Sequence, residues 1–392
     1  MTKQSLRLTL ALGALTAFGP MSVDMYLPSL PALARALQAD AAAVQLTLAT
    51  FFVGMALGQA LYGPLADRYG RKRPLYAGIA LYVLASVACA LAPDIRTLIA
   101  ARFVQALGAC SGMVIARAVV RDLFGAQDAA RMFSVLMLVM GVAPILAPVV
   151  GGQLLLYYGW VSIFWALCGF GLLCLAVAVL WLPETHRGAR SALSIGGALR
   201  AYGVLVADRG FLGYALTGGL ASAGMFAYIA GSPFVFIDLY GVPAQHYGWL
   251  FGSNALGLIA GSQINRRLLR KRPAATVLRL ASAASFAFAL LMVAVVSSGA
   301  GGLAAVAVPL FGFVASLGFI FPNSTALAMA PQGANAGSAA ALLGTLQFGL
   351  ATISSVLVSA ADDGSAMPMA GAILLCAAGS FIALRVTARP PH

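Results

Sequence analysis

Twelve stretches of roughly twenty mainly apolar residues run through this chain, separated by short polar gaps. An α-helix rises about 1.5 Å per residue, so some twenty residues cross the roughly 30 Å hydrocarbon core of a bilayer. The stretches lie at about 8–30, 43–62, 75–92, 97–119, 132–154, 160–182, 211–236, 246–265, 274–297, 302–323, 338–360 and 367–386. Inside hydrocarbon a backbone amide finds no water to bond, and for segments of this length only a helix satisfies it. The expected fold class is an all-α integral membrane protein with twelve transmembrane helices. Composition agrees: 61% of residues are hydrophobic and only 9% charged, whereas a soluble domain carries about a quarter charged residues.

The longest polar interruption, 183–210, falls between the sixth and seventh stretches. It divides the chain into an N-terminal six-helix bundle (1–182), a central loop (183–210) and a C-terminal six-helix bundle (211–392). The net charge of +13 does not point to nucleic acid, because such binders gather basic residues on a soluble face. Here nineteen of the 24 basic residues fall in gaps of a single parity: Lys3 and Arg7; Arg68, Arg71, Lys72 and Arg73; Arg121 and Arg131; Arg187, Arg190, Arg200 and Arg209; Arg266 to Arg272; Arg385 and Arg389. Arg35 and Arg96 lie in gaps of the other parity, and Arg102, Arg117 and Arg279 lie within or at the ends of spans. Cytoplasmic loops of membrane proteins carry such an excess, so both termini and the central loop are expected in the cytoplasm. Lys3 and Arg7 before an apolar run look superficially like a secretory signal. No clear cleavage site follows, and the segment reads as a retained first helix.

Several enzyme and cofactor chemistries lack support. No G-x-x-x-x-G-K-[ST] string for ATP is present. His186, His246 and His392 are far apart, and Cys89, Cys110, Cys168, Cys174 and Cys376 sit inside apolar runs without paired or metal-ligand spacing. No metal, cofactor or enzymatic activity is expected.

An internal repeat links the halves. Gly63-Pro-Leu-Ala-Asp67-Arg68 leads to Arg71-Lys72-Arg73-Pro74, and 198 residues later Gly261-Ser-Gln-Ile-Asn265-Arg266 leads to Lys271-Arg272-Pro273. Secondary transporters are often built from such duplicated units, with substrate held between them. In the first copy, Gly63 and Gly70 are expected to permit a tight turn between the second and third helices. Asp67 is the one anion among Arg68, Arg71, Lys72 and Arg73.

This string resembles the signature loop of the major facilitator superfamily. Arg102-Phe-Val-Gln105-Ala-Leu-Gly108 resembles that superfamily's fourth-helix motif. Gly141-Val-Ala-Pro144-Ile-Leu-Ala-Pro148-Val-Val-Gly151-Gly152 resembles the fifth-helix motif of its proton antiporters. Asp24-Met-Tyr26-Leu-Pro28, Arg117-Ala-Val-Val-Arg121-Asp122 and Phe321-Pro322-Asn323 look more narrowly like the bicyclomycin- and chloramphenicol-resistance (Bcr/CflA) subgroup. The resemblance covers essentially the whole chain. It implies a major-facilitator-type fold around a central cavity, in the inner membrane of a bacterium. It also implies a cytoplasmic gate in which Gly63, Asp67, Arg68, Gly70, Arg71 and Asp122 take part. There Asp67 faces the N-terminus of the eleventh helix and Arg71 pairs with Asp122. A helix N-terminus carries about half a positive charge and favours an anion, and the loop 330–337 carries no charge that would compete.

Two residues stand out for proton coupling. Arg102 lies within a span, where a charge costs at least about 2.5 kcal/mol and usually faces a cavity. Its helical neighbours Gln105, Ala106, Ala109 and Gly112 are small or polar. The alternative is an arginine snorkelling to the periplasmic surface. Asp24 precedes Pro28 by one turn, and proline cannot donate the next helical hydrogen bond, so an ionisable group coincides with a helix discontinuity. The alternative for Asp24 is an interfacial site at the outer end of the first helix. Substrate-cavity candidates are Tyr26, Gln105, Met225, Phe226, Tyr228, Phe234 and Asn323, because the resemblance implies a cavity lined by helices one, four, seven and ten.

The expected function is a proton-coupled antiporter exporting small drug-like molecules, multidrug, phenicol or bicyclomycin-like, and working as a monomer with lipid, substrate and protons as its partners. An exporter of a natural metabolite, and a membrane sensor that no longer transports, are the other two readings. The topology is checked by labelling with an impermeant thiol reagent. Cysteine at Gly188 should escape reagent added outside intact cells, and cysteine at Gly364 should react; the reverse pattern would overturn the helix count.

Overall fold

The computed structural model describes residues 3–124, 126–185, 202–299, 302–332 and 336–387, and within them the chain is helical with no strand. His186, His392, Gly188, Arg187, Arg190, Arg200 and Arg389 lie outside the described residues. Ten described helices are long and apolar enough to cross a membrane, or eleven when the bent pair at the N-terminus counts as one span. The eighth expected span is the exception. It is a continuous helix of 25 residues, Ala244–Leu268, but its apolar character is diluted by residues such as Asn254 and Asn265, which are buried inside the protein.

The described residues fall into two compact units, one within Met1–Leu193 with Ala244–Gly248, the other within Ser194–Pro243 and Trp249–His392. The first unit contains α1 (Lys3–Thr16), α2 (Phe18–Asp24), a 3-10 turn (Leu27–Ser29), α3 (Leu30–Ala36), α4 (Ala41–Tyr69), α5 (Lys72–Ala90), α6 (Ile95–Leu123), α7 (Ala126–Tyr158) and α8 (Val161–Trp181). Here α6 packs against both α4 and α5, and α8 packs on α5. The second unit opens with a short helix, α9, at 202–207. It continues with α10 (Arg209–Pro233), a π-helical turn (Phe234–Leu239), α11 (Ala244–Leu268) from Trp249 on, α12 (Ala274–Ser298), α13 (Gly302–Met329), α14 (Ala336–Ala360) and α15 (Met367–Thr387). Here α10 packs against α13, α14 and α15, and α12 against α13 and α15. Leu205 of α9 is fully buried in a cluster with Phe211, Ala215, Ala328, Ala339 and Leu342. The segment expected as a loop at 183–210 therefore contributes to the second unit at its end.

Helix starts follow local chemistry. The first N–H groups of a helix lack intrahelical acceptors, and an aspartate side chain supplies one. Asp40 accepts from the Ala43 N–H at 2.6 Å, Asp94 from Thr97 at 2.8 Å, and Asp208 from Gly210 at 2.9 Å. These bonds hold the exposed Asp94 carboxylate below its ordinary titration range. Three of the few acidic residues are thereby committed to starting α4, α6 and α10.

Helices also outrun their apolar windows. The expected span 43–62 becomes Ala41–Tyr69, and 132–154 becomes Ala126–Tyr158. At about 1.5 Å per residue the 29 residues of α4 reach about 44 Å, longer than the hydrocarbon core. This corrects the position of the first repeat string. Gly63 lies inside α4 with open space where a side chain would be, so it makes no turn. The turn is made by Gly70, at φ 84°.

The first expected span is broken rather than continuous. Its two parts, Arg7–Thr16 and Phe18–Ala36, are bent by 43°, and regular α-helix stops at Asp24, before the 3-10 turn that contains Pro28. Pro144 and Pro148 lie within an unbroken α7. Gly151 of the same helix lets the Met25 carbonyl lie directly against its backbone, because a Cβ there would overlap that oxygen. Gly152 is buried beside it and Gly141 is half-buried. The break after Asp24 is thus seated on α7 by a missing side chain. Gly151→Val should displace it, costing about 1–3 kcal/mol by overpacking and lowering the thermal midpoint of the purified protein. Gly63→Ala, with nothing to strike, should leave that midpoint unchanged.

Candidate transport and gating sites

In the first unit, Arg102 of α6 is completely buried. It does not snorkel to a surface. Its guanidinium carbon lies 4.3 Å from the Phe51 ring centroid, 4.6 Å from Tyr26 and 6.0 Å from Phe164. Its Nη1 donates to Gln105 Oε1 at 2.6 Å, and Gln105 Nε2 donates to Ser86 Oγ at 2.8 Å. Ser86 in turn donates to the Tyr82 carbonyl at 2.7 Å. The Tyr82 hydroxyl meets Ser22 Oγ at 2.8 Å, and the Tyr26 hydroxyl meets Thr47 Oγ1 at 3.0 Å. Among the described residues no carboxylate pairs with Arg102, and its Nε and Nη2 are buried without a hydrogen-bond partner. A desolvated cation over aromatic faces gains about 2 kcal/mol, less than the several kcal/mol that burying an ion costs. The arrangement is under-satisfied.

Asp24 is also buried, with 5% of its surface exposed. Among the described residues no hydrogen bond or ion pair reaches its carboxyl, and the structure does not bring it together with Arg102. Two ionisable side chains of opposite type are therefore housed in one unit, each without an ionic partner among the described residues. Tyr26 and Gln105, expected in a substrate cavity, are fully buried around Arg102 instead.

The charged cluster at the α4–α5 turn is built around Arg71. Its Nε and Nη2 reach the two Asp122 oxygens at 2.8 and 3.3 Å, and its Nη1 reaches Asp67 at 2.6 Å. Thr185 adds a hydrogen bond to Asp122 at 2.9 Å. Burial works against the charge on Arg71, but the hydrogen bonds and charges of Asp122 and Asp67 outweigh it, so the guanidinium is held above the ordinary arginine range. The Asp67 side chain keeps 47% of its surface open, against 17% for Asp122. The expected Arg71–Asp122 pair is present. Arg68 instead stacks on Tyr69, 5.3 Å from the ring centroid.

Glu184 completes this cluster, and sequence reasoning left it in the central loop. Its carboxylate accepts from the Arg71 N–H at 2.9 Å and the Lys72 N–H at 3.1 Å. That caps the start of α5 and places an anion at its positive end. Gly70 is needed here twice. Its φ is positive, and a Cβ would come within 2.9 Å of Glu184. The signal available was that Glu184 is the only glutamate in the chain. Phe51, Phe164 and Ser86 carried no such signal, being ordinary residues of their spans.

In the second unit Phe226 lies 5.9 Å from Phe348, and Tyr228 stacks on Phe251 at 5.4 Å while accepting a 3.1 Å hydrogen bond from Asn254. Met225 and Phe234 are half-buried, Phe234 at the start of the π-helical turn after Pro233. Asn323, another residue expected in the substrate cavity, meets α11. It is 1% exposed, and its Nδ2 donates to Asn265 Oδ1 at 2.7 Å and to the Phe319 carbonyl at 2.8 Å. Its amide is spent on tying α13 to α11, at the repeat position that matches Asp67.

Ten or more helices long and apolar enough to cross a membrane, in two units with a buried arginine inside one span, describe a polytopic membrane protein. The sequence model of the Major Facilitator Superfamily matches residues 12–356, and the chain belongs to that family. It is therefore a transporter rather than an enzyme. It is 42% identical over 380 residues to an uncharacterized MFS-type transporter, YdgK, of Bacillus subtilis, covering 96% of this chain and 94% of that one. It is 32% identical over 377 residues to a bicyclomycin resistance protein homolog of Haemophilus influenzae, covering 95% and 94%. In fold it is similar to a D-xylose-proton symporter, with a TM-score of 0.75 at 14% identity, covering 95% of this chain and 97% of that one.

The geometry around Arg71 sets an order of importance. Asp122→Ala removes two hydrogen bonds to a buried guanidinium and should cost about 2 kcal/mol or more of stability, because the cation is left in place. Asp67→Asn acts at a half-open site and should cost less than about 1 kcal/mol. Thermal unfolding of the two variants checks this; equal losses would mean that Arg71 does not depend on Asp122.

Proposed function

We propose that this transporter is a proton-coupled antiporter, exporting small drug-like molecules by alternating access across a bacterial inner membrane with both termini in the cytoplasm. The observation that carries the coupling is the separate burial of Asp24 and Arg102 without ionic partners. Intramembrane ionisable groups are costly, and they mark ion or proton pathways. A carboxyl beside a helix break is placed to exchange a proton with whichever compartment gains access to it. The unsatisfied Arg102 is placed to respond to that exchange through the hydrogen bonds that link α6, α5 and α2. Drug-like cargo is supported by the relative named for bicyclomycin resistance. The orientation rests on the single parity of the basic gaps.

The cluster at Asp67, Arg71 and Asp122 serves as the gate in this reading. Asp67 is its open member, so Asp67→Asn should slow export while leaving drug binding intact. Met225, Phe226, Tyr228 and Phe234 supply the aromatic and flexible side chains that a cargo of mixed shape requires.

Proton release from detergent-solubilised protein on adding bicyclomycin or chloramphenicol, measured beside efflux from cells with and without an uncoupler, tests the proposal. Wild type should release protons and lose efflux with the uncoupler. Asp24→Asn should fold and bind drug, yet lose proton-driven efflux by roughly a hundredfold, the scale of removing a positioned proton-transfer group. Arg102→Lys keeps charge but loses the planar fork that fits between aromatic rings, and should fall steeply too. Undiminished proton release and efflux in Asp24→Asn would move the proton site elsewhere.

A further inference from the structure

The start of α12 and the last turns of α15 meet in the second unit around a cleft of about 90 Å³, lined by Arg279, Phe381, Leu384 and Arg385. Its aromatic wall is fixed, since Phe381 stacks on Phe286 with centroids 5.6 Å apart and planes 13° from parallel. The Arg385 guanidinium lies 4.8 Å from the Phe381 ring centroid. Both arginines are exposed, and among the described residues neither has an acidic partner. Neither α12 nor α15 contains an aspartate or glutamate. Arg270, Lys271 and Arg272 of the loop before α12 are exposed as well but do not line the cleft. Topology asks only that basic residues share a side of the membrane; it does not ask two helices remote in sequence to aim arginines into one cleft.

Next to the cleft residues along both helices, exposed side chains are apolar. Leu280 follows Arg279 directly, and Ile382 and Val386 flank Phe381 and Arg385 along α15. Their exposures are 68%, 57% and 78%. On membrane-spanning helices, apolar side chains left this open face acyl chains. The occupant therefore has to be anionic at its head and hydrocarbon at its side.

We infer that this cleft binds the phosphate of an anionic phospholipid, with Arg279 and Arg385 holding the headgroup between α12 and α15. Guanidinium forks match phosphate oxygens in geometry and charge, and basic pockets between transmembrane helices are suited to anionic head groups. The lipid also neutralises two cations that otherwise repel each other across the cleft. A free phosphate shares the head chemistry but gains nothing from these apolar neighbours.

The full chain, purified in detergent, is offered phosphatidylglycerol, phosphatidylcholine of the same acyl chains, or inorganic phosphate. Retained lipid is read by native mass spectrometry and the thermal midpoint by unfolding. Wild type should retain phosphatidylglycerol over phosphatidylcholine by roughly thirtyfold, the scale of two surface cations, with a matching rise in midpoint. R279Q/R385Q should lose that preference while keeping the lipid-free midpoint, and R279K/R385K should recover part of it. R270Q/K271Q, in the neighbouring loop, should keep the preference. R385Q alone, at the exposed end of α15, gives a milder test of the same loss. The inference is overturned if R279Q/R385Q retains phosphatidylglycerol like wild type, or if the loop variant loses as much. Equal retention of phosphatidylcholine, or an equal rise in midpoint with inorganic phosphate, overturns it as well.

Discussion

The buried guanidinium of Arg102 organises the first unit. It is wholly enclosed, and five elements close around it. Tyr26 comes from the segment between α2 and the 3-10 turn, Phe51 from α4 and Phe164 from α8. Gln105 of its own helix carries the contact on to Ser86 of α5. A lone cation in such a place is stable only if its surroundings hold still, because aromatic faces attract it only at close range. The hydrogen bond between the Tyr82 and Ser22 hydroxyls ties the same network to α2, two residues before Asp24. The helix break and the buried arginine thus belong to one packed assembly although Asp24 and Arg102 do not meet.

The two units solve matching positions with different chemistry. At the end of α4, Asp67 joins a network of full charges with Arg71 and Asp122, and the whole is anchored by Glu184 at the start of α5. At the corresponding end of α11, Asn265 takes a neutral amide pair with Asn323. A neutral amide pair has no charge to screen. A charge network with one half-open member responds to salt, to neighbours and to water. The repeat conserves the glycine and basic frame of the string while placing its electrostatic sensitivity in one copy.

Much of this was legible in the residues. The spans, the break at Pro28 and the pairing of Arg71 with Asp122 followed from hydropathy, proline chemistry and motif resemblance. The parts that were not legible share a cause. Glu184 lies more than a hundred residues from the N–H groups it caps, and no local pattern announces a cap supplied from so far away. Tyr26, Gln105 and Asn323 read as cavity residues because their chemistry suits a ligand as well as a neighbour. Which of the two they meet is decided by how helices pack. Gly63 read as a turn because the apolar window ends near it, but the helix continues through Asp67 and Arg68, whose backbone needs its hydrogen bonds whatever the side chains carry.

The sequence by itself determined that the chain is helical and spans a membrane many times, since backbone amides in hydrocarbon have no other partner. It also determined that the first span breaks near Pro28, because the missing proline N–H acts within a turn. Only the tertiary structure decided which polar groups find each other. It closed rings around Arg102, left Asp24 alone, drew Glu184 onto α5 and set Arg279 opposite Arg385. Those outcomes depend on contacts between helices remote in sequence, and packing acts through shape and distance, neither of which is written in a residue's neighbours along the chain.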